Sequence, residues 1–361
     1  GTHGYYLPNI RLLKTPKSVG TEIKLSTNNI LVDSETRERK TSILTTDTNR
    51  TFIGYSVFPT TWKTDLASAS VGVTYSGATE IHFLSAAPDG YSNTGKKIGS
   101  ADIDIYVKDK AIAFVSPDII FAPTSCEELF ARCNSLKTIT FENFDTSTVT
   151  NMSGMFYYSW SIENIDLSNF DTSNVTDMSS MFSENHSLKY VDLSNFNTSN
   201  VTNMGSMFYY CRNIEGLDFS SFNTEKVTGM GAMFMACSAL SSLDLSSFNT
   251  SNVTTMYGMF RDCSNLTDLD ISNFDTSNVT SMESMFAVCS KLVSLNLSNC
   301  NATNVTTMYG MFVLCTSLTN LNLSGFTTLN VTNMSDMFRQ CYKLTELNLS
   351  GFDTTKVTTM Y

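Results

Sequence analysis

Histidine is nearly absent from this chain: three in 361 residues, at His3, His82 and His186, far apart in sequence. No H-E-x-x-H, G-x-S-x-G or phosphate-loop pattern accompanies them, so the usual hydrolase, zinc-protease and nucleotide signatures are missing. Nine cysteines contain no C-x-x-C pair and no Cys/His spacing suited to zinc. Basic residues are few and unevenly placed. Residues 1–125 hold 13 Lys and Arg against 12 Asp and Glu, whereas residues 126–361 hold 10 against 22. A surface so poor in cations disfavours nucleic acid, whose phosphates need a basic face. No segment has the apolar length needed to cross a membrane.

What the chain has in abundance is one unit of 26 residues, repeated nine times without insertion or deletion. Val-Thr recurs from Val149-Thr150 to Val357-Thr358, and Met-Phe from Met155-Phe156 to Met337-Phe338, at that spacing. A fixed period of this length predicts a solenoid, in which each unit buries its apolar face against its neighbours. The fold class expected is an α/β solenoid of leucine-rich-repeat type, with parallel strands on one face and short helices on the other. In the unit Val175–Asn200, Met178, Met181, Phe182 and Asn185 fall at i, i+3, i+4 and i+7, which predicts a short helix with Thr176 as its N-cap. Leu188 to Ser194 alternates like a strand with Val191 and Leu193 inward, and Phe196 anchors the turn that follows.

The strand segment, Leu188-x-x-Val191-x-Leu193, fits the core of a leucine-rich repeat, although a Phe replaces the usual Asn or Cys beyond it. The full pattern L-D-L-S-x-F-x-T-S-N-V-T-x-M-x-x-M-F-x-x-C resembles the 26-residue repeat of bacterial surface proteins in the BspA-like leucine-rich-repeat group. The match covers residues 126–361. The resemblance implies a secreted or wall-attached bacterial protein associated with adhesion, acting on a protein or glycan of a host or a neighbouring bacterium.

The methionines, 17 of 18 in two ladders, are expected in the core, and so are the cysteines. Seven of these share a column, Cys133, Cys211, Cys237, Cys263, Cys289, Cys315 and Cys341, where Ser159 and Asn185 also occur. Cys126 stands in for a ladder Met and Cys300 for a ladder Phe. Buried, reduced thiols follow from that interchangeability. Asn-x-Thr sequons such as Asn174-Val-Thr and Asn200-Val-Thr arise as by-products of the repeat.

Domain organisation is expected to be an all-β region over 1–122 and a solenoid over 123–361. Candidate strands in the first part are Thr21–Ser26, Thr51–Phe58, Val71–Tyr75, Glu80–Leu84, Asp102–Val107 and Ala111–Val115, with turns at Ala87–Gly90 and Ser92–Gly95. This region either caps the first apolar layer or binds independently. The chain opens on Gly1 without a secretory leader and stops inside a tenth motif at Tyr361, which predicts a piece of a longer protein with export signal and wall anchor elsewhere.

One periodic polar array remains: Asp166, Asp192, Asp218, Asp244 and Asp270, continued by Asn296, Asn322 and Asn348 and flanked by a serine row. Together with Tyr190 it forms the candidate ligand-binding strip on the outward strand face. Stacked carboxylates repel, which predicts raised pKa values unless a cation such as calcium or hydroxyl donors intervene. A solvated face and a calcium- or ligand-binding strip both fit the array. No cofactor and no catalytic residue is expected. The variable columns Lys137, Glu163, Lys189, Glu215 and Thr138, Asn164, Tyr190, Gly216 favour binding, whereas the regularity of the units favours a passive spacer. On the Met-Phe side Tyr157-Tyr158 and Tyr209-Tyr210 alternate with Arg261-Asp262 and Val313-Leu314, and such tyrosines suit a recognition surface and equally a shield over the helix layer.

Overall fold

The structure is a computed structural model that describes residues 55–98 and 102–361. Thr21–Ser26 and His3 lie outside the described residues. From Ser125 onward the chain winds in coils of one repeat each. Isolated parallel bridges tie each coil to the next at residues 26 apart, from Ser125–Asn151 and Asn151–Asp177 through to Asn333–Thr359. The expected strand segment is present but short: β9 (Asn164–Ile165) pairs in parallel with β10 (Tyr190–Val191), and β11 (Ser294–Asn296) with β12 (Asn320–Asn322). Between them single bonds carry the pairing on, as from Glu215 N–H to the Lys189 carbonyl at 3.1 Å.

The Met-Phe segment is not helical, and the short helices expected there are corrected to a string of turns. Alternate N–H groups leave the coil: Met178, Ser180, Phe182 and Glu184 donate to the carbonyls of Asn203, Gly205, Met207 and Tyr209 at 2.7–3.0 Å. The N–H groups between them close turns, Met181 onto Met178, Ser183 onto Ser180 and Asn185 onto Phe182. Ser180 and Glu184 have φ of 55° and 62°, as do their counterparts along the stack, such as Ala232 and Ala236. Each left-handed residue costs about 1 kcal/mol and stops a helix. In return, donors that a helix would consume internally face the next coil, each such bond contributing about 1 kcal/mol net. Met178, Met181, Phe182 and Asn185 are all buried, so the inward positions were placed correctly on the wrong backbone.

Threonine does not cap. Thr176 donates both its N–H (2.8 Å) and its Oγ1 (3.1 Å) to the Thr150 carbonyl, one coil back. The same double staple runs on to Thr358. Inside, nine phenylalanines from Phe130 to Phe338 stack with centroids 5.4–6.2 Å apart and planes within 18°. The methionine ladders flank them, offering sulfur–aromatic contacts.

The region before the coils is mixed rather than all-β over its described part. It begins with β1 (Tyr55–Val57) and α1 (Trp62–Ala69), then β2 (Glu80–Leu84), β3 (Ser92–Lys97), β4 (Asp104–Lys108), β5 (Ala111–Val115) and β6 (Ile119–Phe121). The stretch expected as strand at Val71–Tyr75 is irregular, and the turn expected at Ser92–Gly95 lies in β3. A helix of eight residues with two buried anchors, Trp62 and Leu66, leaves little periodic signal. β2 pairs in parallel with β5 on one side and with β7 (Thr138–Phe141), the strand of the first coil, on the other; β4 and β3 follow β5 antiparallel. β1, β6 and β8 (Phe144–Asp145) form a second parallel sheet. One apolar core runs without a break from Phe58 to Cys341.

α1 also completes the first coil's hydrogen bonding. In later coils, carbonyls such as Met155 and Tyr157 accept from the coil before, here Phe130 and Arg132 N–H. The corresponding Leu129 and Ala131 have no preceding coil. The Trp62 indole N–H takes Leu129 at 2.7 Å, and Lys63 Nζ takes Ala131 at 2.6 Å and Glu128 at 3.1 Å. Two side chains thus stand in for two ladder donors.

Phe260→Ala, in the middle of the ring stack, is expected to cost about 3–5 kcal/mol in denaturant unfolding. Trp62→Phe keeps the bulk but orphans a buried carbonyl, and is expected to cost about 1–3 kcal/mol. Unchanged midpoints would contradict the ring register and the cap respectively.

Candidate functional site

The strip residues Asp166, Asp192, Asp218, Asp244 and Asp270 are all exposed, in line on the outward strand face. Each is locally occupied. Its Oδ1 accepts the N–H of the serine two residues on, at 2.9–3.0 Å. Asn296, Asn322 and Asn348 repeat the turn with their amide oxygens at 3.0–3.1 Å. Repulsion along the row does not raise these carboxyls, because donors do intervene, a backbone N–H first and the expected hydroxyl second. The backbone bond from the serine, helped by its hydroxyl, holds each of the five carboxyls below the usual range and outweighs repulsion along the row. Among the described residues no three or more His, Cys, Asp or Glu converge on a cation site. Tyr190 is 54% exposed and donates its hydroxyl to Glu215 on the next coil. That bond raises the pKa of the phenol.

The cysteines lie in the core, and the structure gives their column a task. Cys211, Cys237, Cys263, Cys289, Cys315 and Cys341 each donate a thiol to the Phe carbonyl 29 residues back, at 3.0–3.1 Å. Ser159 and Asn185 make the same bond, to Phe130 and Phe156 at 2.8 and 2.9 Å. Ser, Asn and Cys interchange because the position needs a small donor. Burial pushes the thiols up, Cys263 to about 12, so they stay protonated. The sequon amides are staples too, Asn200 Nδ2 reaching the Ser173 carbonyl at 2.8 Å.

The two described histidines are not brought together. His82 on β2 meets Thr140 at 2.9 Å and Glu80 at 3.3 Å, while His186 pairs with Glu184 at 2.7 Å. His186 instead belongs to a surface feature of which only the tyrosine pairs stood out in the sequence. The position after the cysteine column reads Asn134, Trp160, His186, Arg212, then Ser238, Ser264, Ser290, Thr316 and Tyr342. Three early coils carry large rings and a guanidinium, the next four carry small hydroxyls, and Tyr342 restores a ring at the last. Trp160 is 39% exposed, with Tyr158 at 5.2 Å and His186 at 6.3 Å between ring centroids. Tyr157 lies 5.5 Å from Tyr158, and Tyr209 is 4.5 Å from Tyr210. Met235, the one methionine outside the ladders, backs Tyr209 and Tyr210 with Ala232 and Ala236, a small cluster separate from the main core. Aligning the repeats column by column would have exposed this edge; the paired tyrosines alone did not.

Carboxyls held low in the folded state add stability that is present above the ordinary carboxylate range and lost as pH falls through their folded values. Melting temperature is therefore expected to drop below about pH 4. Asp192→Asn, Asp218→Asn and Asp244→Asn together should flatten that drop while leaving the neutral melt nearly unchanged, because an amide oxygen accepts the same N–H. An acid slope untouched by the three substitutions would place the proton uptake elsewhere. Cys237 and Cys263 are expected to resist a thiol reagent until the chain unfolds; rapid native labelling would contradict their burial.

Comparison with curated proteins finds no match. Among solved structures the chain is similar to the leucine rich repeat protein of T. pallidum, at 13% identity over 63% of this chain and 78% of that one, with a TM-score of 0.26. It is also similar to a chain in a TLR13–ssRNA13 complex, at 18% identity over 66% and 35%, with a TM-score of 0.27. Superpositions this loose leave the details of the coil to the bonds described above. A family profile matches residues 124–238, 211–317 and 287–361. Those stretches overlap to span the coils from 124 to 361, more than half of the chain, which therefore belongs to the family described as Mycoplasma protein of unknown function, DUF285.

Proposed function

We propose that this chain is a non-enzymatic binding module of the bacterial cell surface that adheres to a protein or glycan on a host or neighbouring cell. One observation carries the reading. The inward ladders barely change from coil to coil, while outward columns such as Asn164, Tyr190, Gly216, Ser242 and Asp268 change at every step. A rigid scaffold with a graded exterior suits recognition of an extended surface. Resemblance to BspA-like surface proteins supports an extracellular location. The acidity of the coils disfavours nucleic acid, and among the described residues no helix is long and apolar enough to cross a membrane. The outward strip, Asp166, Asp192, Asp218, Asp244 and Asp270 with Tyr190, is one candidate contact surface. A passive spacer is the second reading, favoured by the uniform staples that leave a stiff rod.

Beads coated with the chain test both. Under the binding reading, the triple Asn variant at 192, 218 and 244 loses adhesion to a basic matrix partner, and neither protein's melt need respond to calcium. A spacer gives no specific adhesion in either form. Equal adhesion by both proteins would remove the acidic strip from the contact.

A further inference from the structure

We propose that the turn edge between the coils of Cys300 and Phe326 is a hinge, which opens ahead of the other turn edges while the remaining sides of the same coils stay bonded. This goes beyond the binding-module reading and does not depend on it. An ordinary seam is closed at this edge by a hydroxyl pair, a side-chain staple and two rings. Thr224 donates its hydroxyl to the Asn249 carbonyl and accepts the Asn249 N–H, both at 2.8 Å. Ser247 donates to the Phe219 carbonyl at 2.9 Å, and Phe222 and Phe248 are buried beneath. One seam lacks all of these. Ala302 stands at the threonine position, Gly325 at the position of Ser247, and Cys300 at the phenylalanine position. Among the described residues the backbone N–H and carbonyl of Thr327 therefore have no partner. Thr327 keeps a hydroxyl contact with Thr303, at 3.3 Å.

The other sides of this seam are intact. β11 pairs with β12, and Leu297 N–H donates to the Asn322 carbonyl at 2.9 Å. On the Met-Phe side, Phe286 and Val288 N–H reach the carbonyls of Met311 and Val313 at 3.0 and 2.7 Å. Thr306 staples to the Thr280 carbonyl through both N–H and hydroxyl, and Asn330 Nδ2 takes the Thr303 carbonyl at 2.7 Å where the bare edge ends. A bare edge beside bonded sides has the geometry of a hinge. The free energy of a local opening follows the bonds and buried contacts it breaks, so the edge with fewest opens first. Small residues also let the edge close tightly. A Cβ on Gly325 would overlap the Ser298 carbonyl oxygen, so the two coils meet there backbone to backbone.

Cys300 reports on the edge. It is 3% exposed when closed and Cys263 is 1% exposed, so neither reacts without an opening. Burial pushes the Cys300 thiol up to about 11 and Cys263 up to about 12, a gap that by itself makes Cys300 about tenfold quicker. The experiment labels the folded, full chain with a thiol reagent and follows each cysteine by peptide mass spectrometry. The hinge expects Cys300 to react at least about a hundredfold faster than Cys263. Cys289 and Cys315 flank the same seam on its Met-Phe side and should stay protected. Ala302→Thr returns the hydroxyl pair and should slow Cys300 about tenfold, with the other cysteines unchanged. The reverse transplant joins Phe248→Cys to Thr250→Ala at an ordinary seam. Its introduced thiol should react about tenfold faster than that of Phe248→Cys alone, which decides the matter if Ala302→Thr does not fold. Matching thermal melts establish that each variant folds. The proposal is overturned if Cys300 stays within about tenfold of Cys263, or if its rate survives Ala302→Thr. Labelling of Cys315 level with or ahead of Cys300 also overturns it, because the last coils would then loosen as a whole. Adhesion is measured separately, so none of these results bears on the binding-module reading.

Discussion

Coil after coil hands half of the N–H groups in its Met-Phe segment to the next, and the rest of the structure follows from that exchange. Met178, Ser180, Phe182 and Glu184 donate forward rather than to their own turn. The chain must turn between these bonds, and two of the donors themselves, Ser180 and Glu184, accept left-handed dihedrals. A coil built in this way is satisfied only when it has neighbours. Its strands are two or three residues long, and a lone coil would leave buried donors and acceptors unpaired. Stability is therefore cooperative along the stack, and the first coil needs a substitute for the missing donors, which Trp62 and Lys63 provide.

The same exchange explains the column rules. Repeating a coil at constant spacing places like beside like, so each column must hold a side chain that tolerates its own copy. Phenylalanine does so by stacking nearly parallel, as between Phe286 and Phe312. Threonine does so by stapling to the carbonyl of its copy. Thr172 uses its hydroxyl twice, donating to the Asn197 carbonyl and accepting the Asn197 N–H, which accounts for a buried polar row that a hydrophobicity pattern would leave unexplained. Aspartate tolerates its copies because the serine N–H two residues on stabilises each charge locally. Only positions that point outward escape these rules, and there the copies diverge.

How much of this could be read beforehand depended on whether the signal lived in spacing or in partner. Spacing fixed the period, the inward residues, the burial of the thiols and the strand face from Leu188 to Leu193. Partners were invisible. Met178, Met181 and Phe182 at i, i+3 and i+4 are compatible with a helix and equally with successive turns, because both bring those positions to one side. What separates them is the destination of the Phe182 N–H, a residue 25 positions ahead. Thr176 reads as a cap for the same reason: its hydroxyl does find a carbonyl, but one from the previous coil. The five aspartates do lie exposed, and hydroxyl donors were the exception left open for their titration; the backbone bond from Ser194, which acts before the hydroxyl, was not legible. Trp160, His186 and Arg212 escaped notice because they belong to different repeats and become neighbours only once the coils stack.

Scalar couplings transmitted through hydrogen bonds, measured by NMR on the deuterated chain, test the forward exchange directly. The account predicts a coupling between the amide nitrogen of Phe182 and the carbonyl carbon of Met207, and likewise from Glu184 to Tyr209, with none from Phe182 to Met178. Couplings from Phe182 to Met178, the pattern of a helix, with none to Met207, would contradict it.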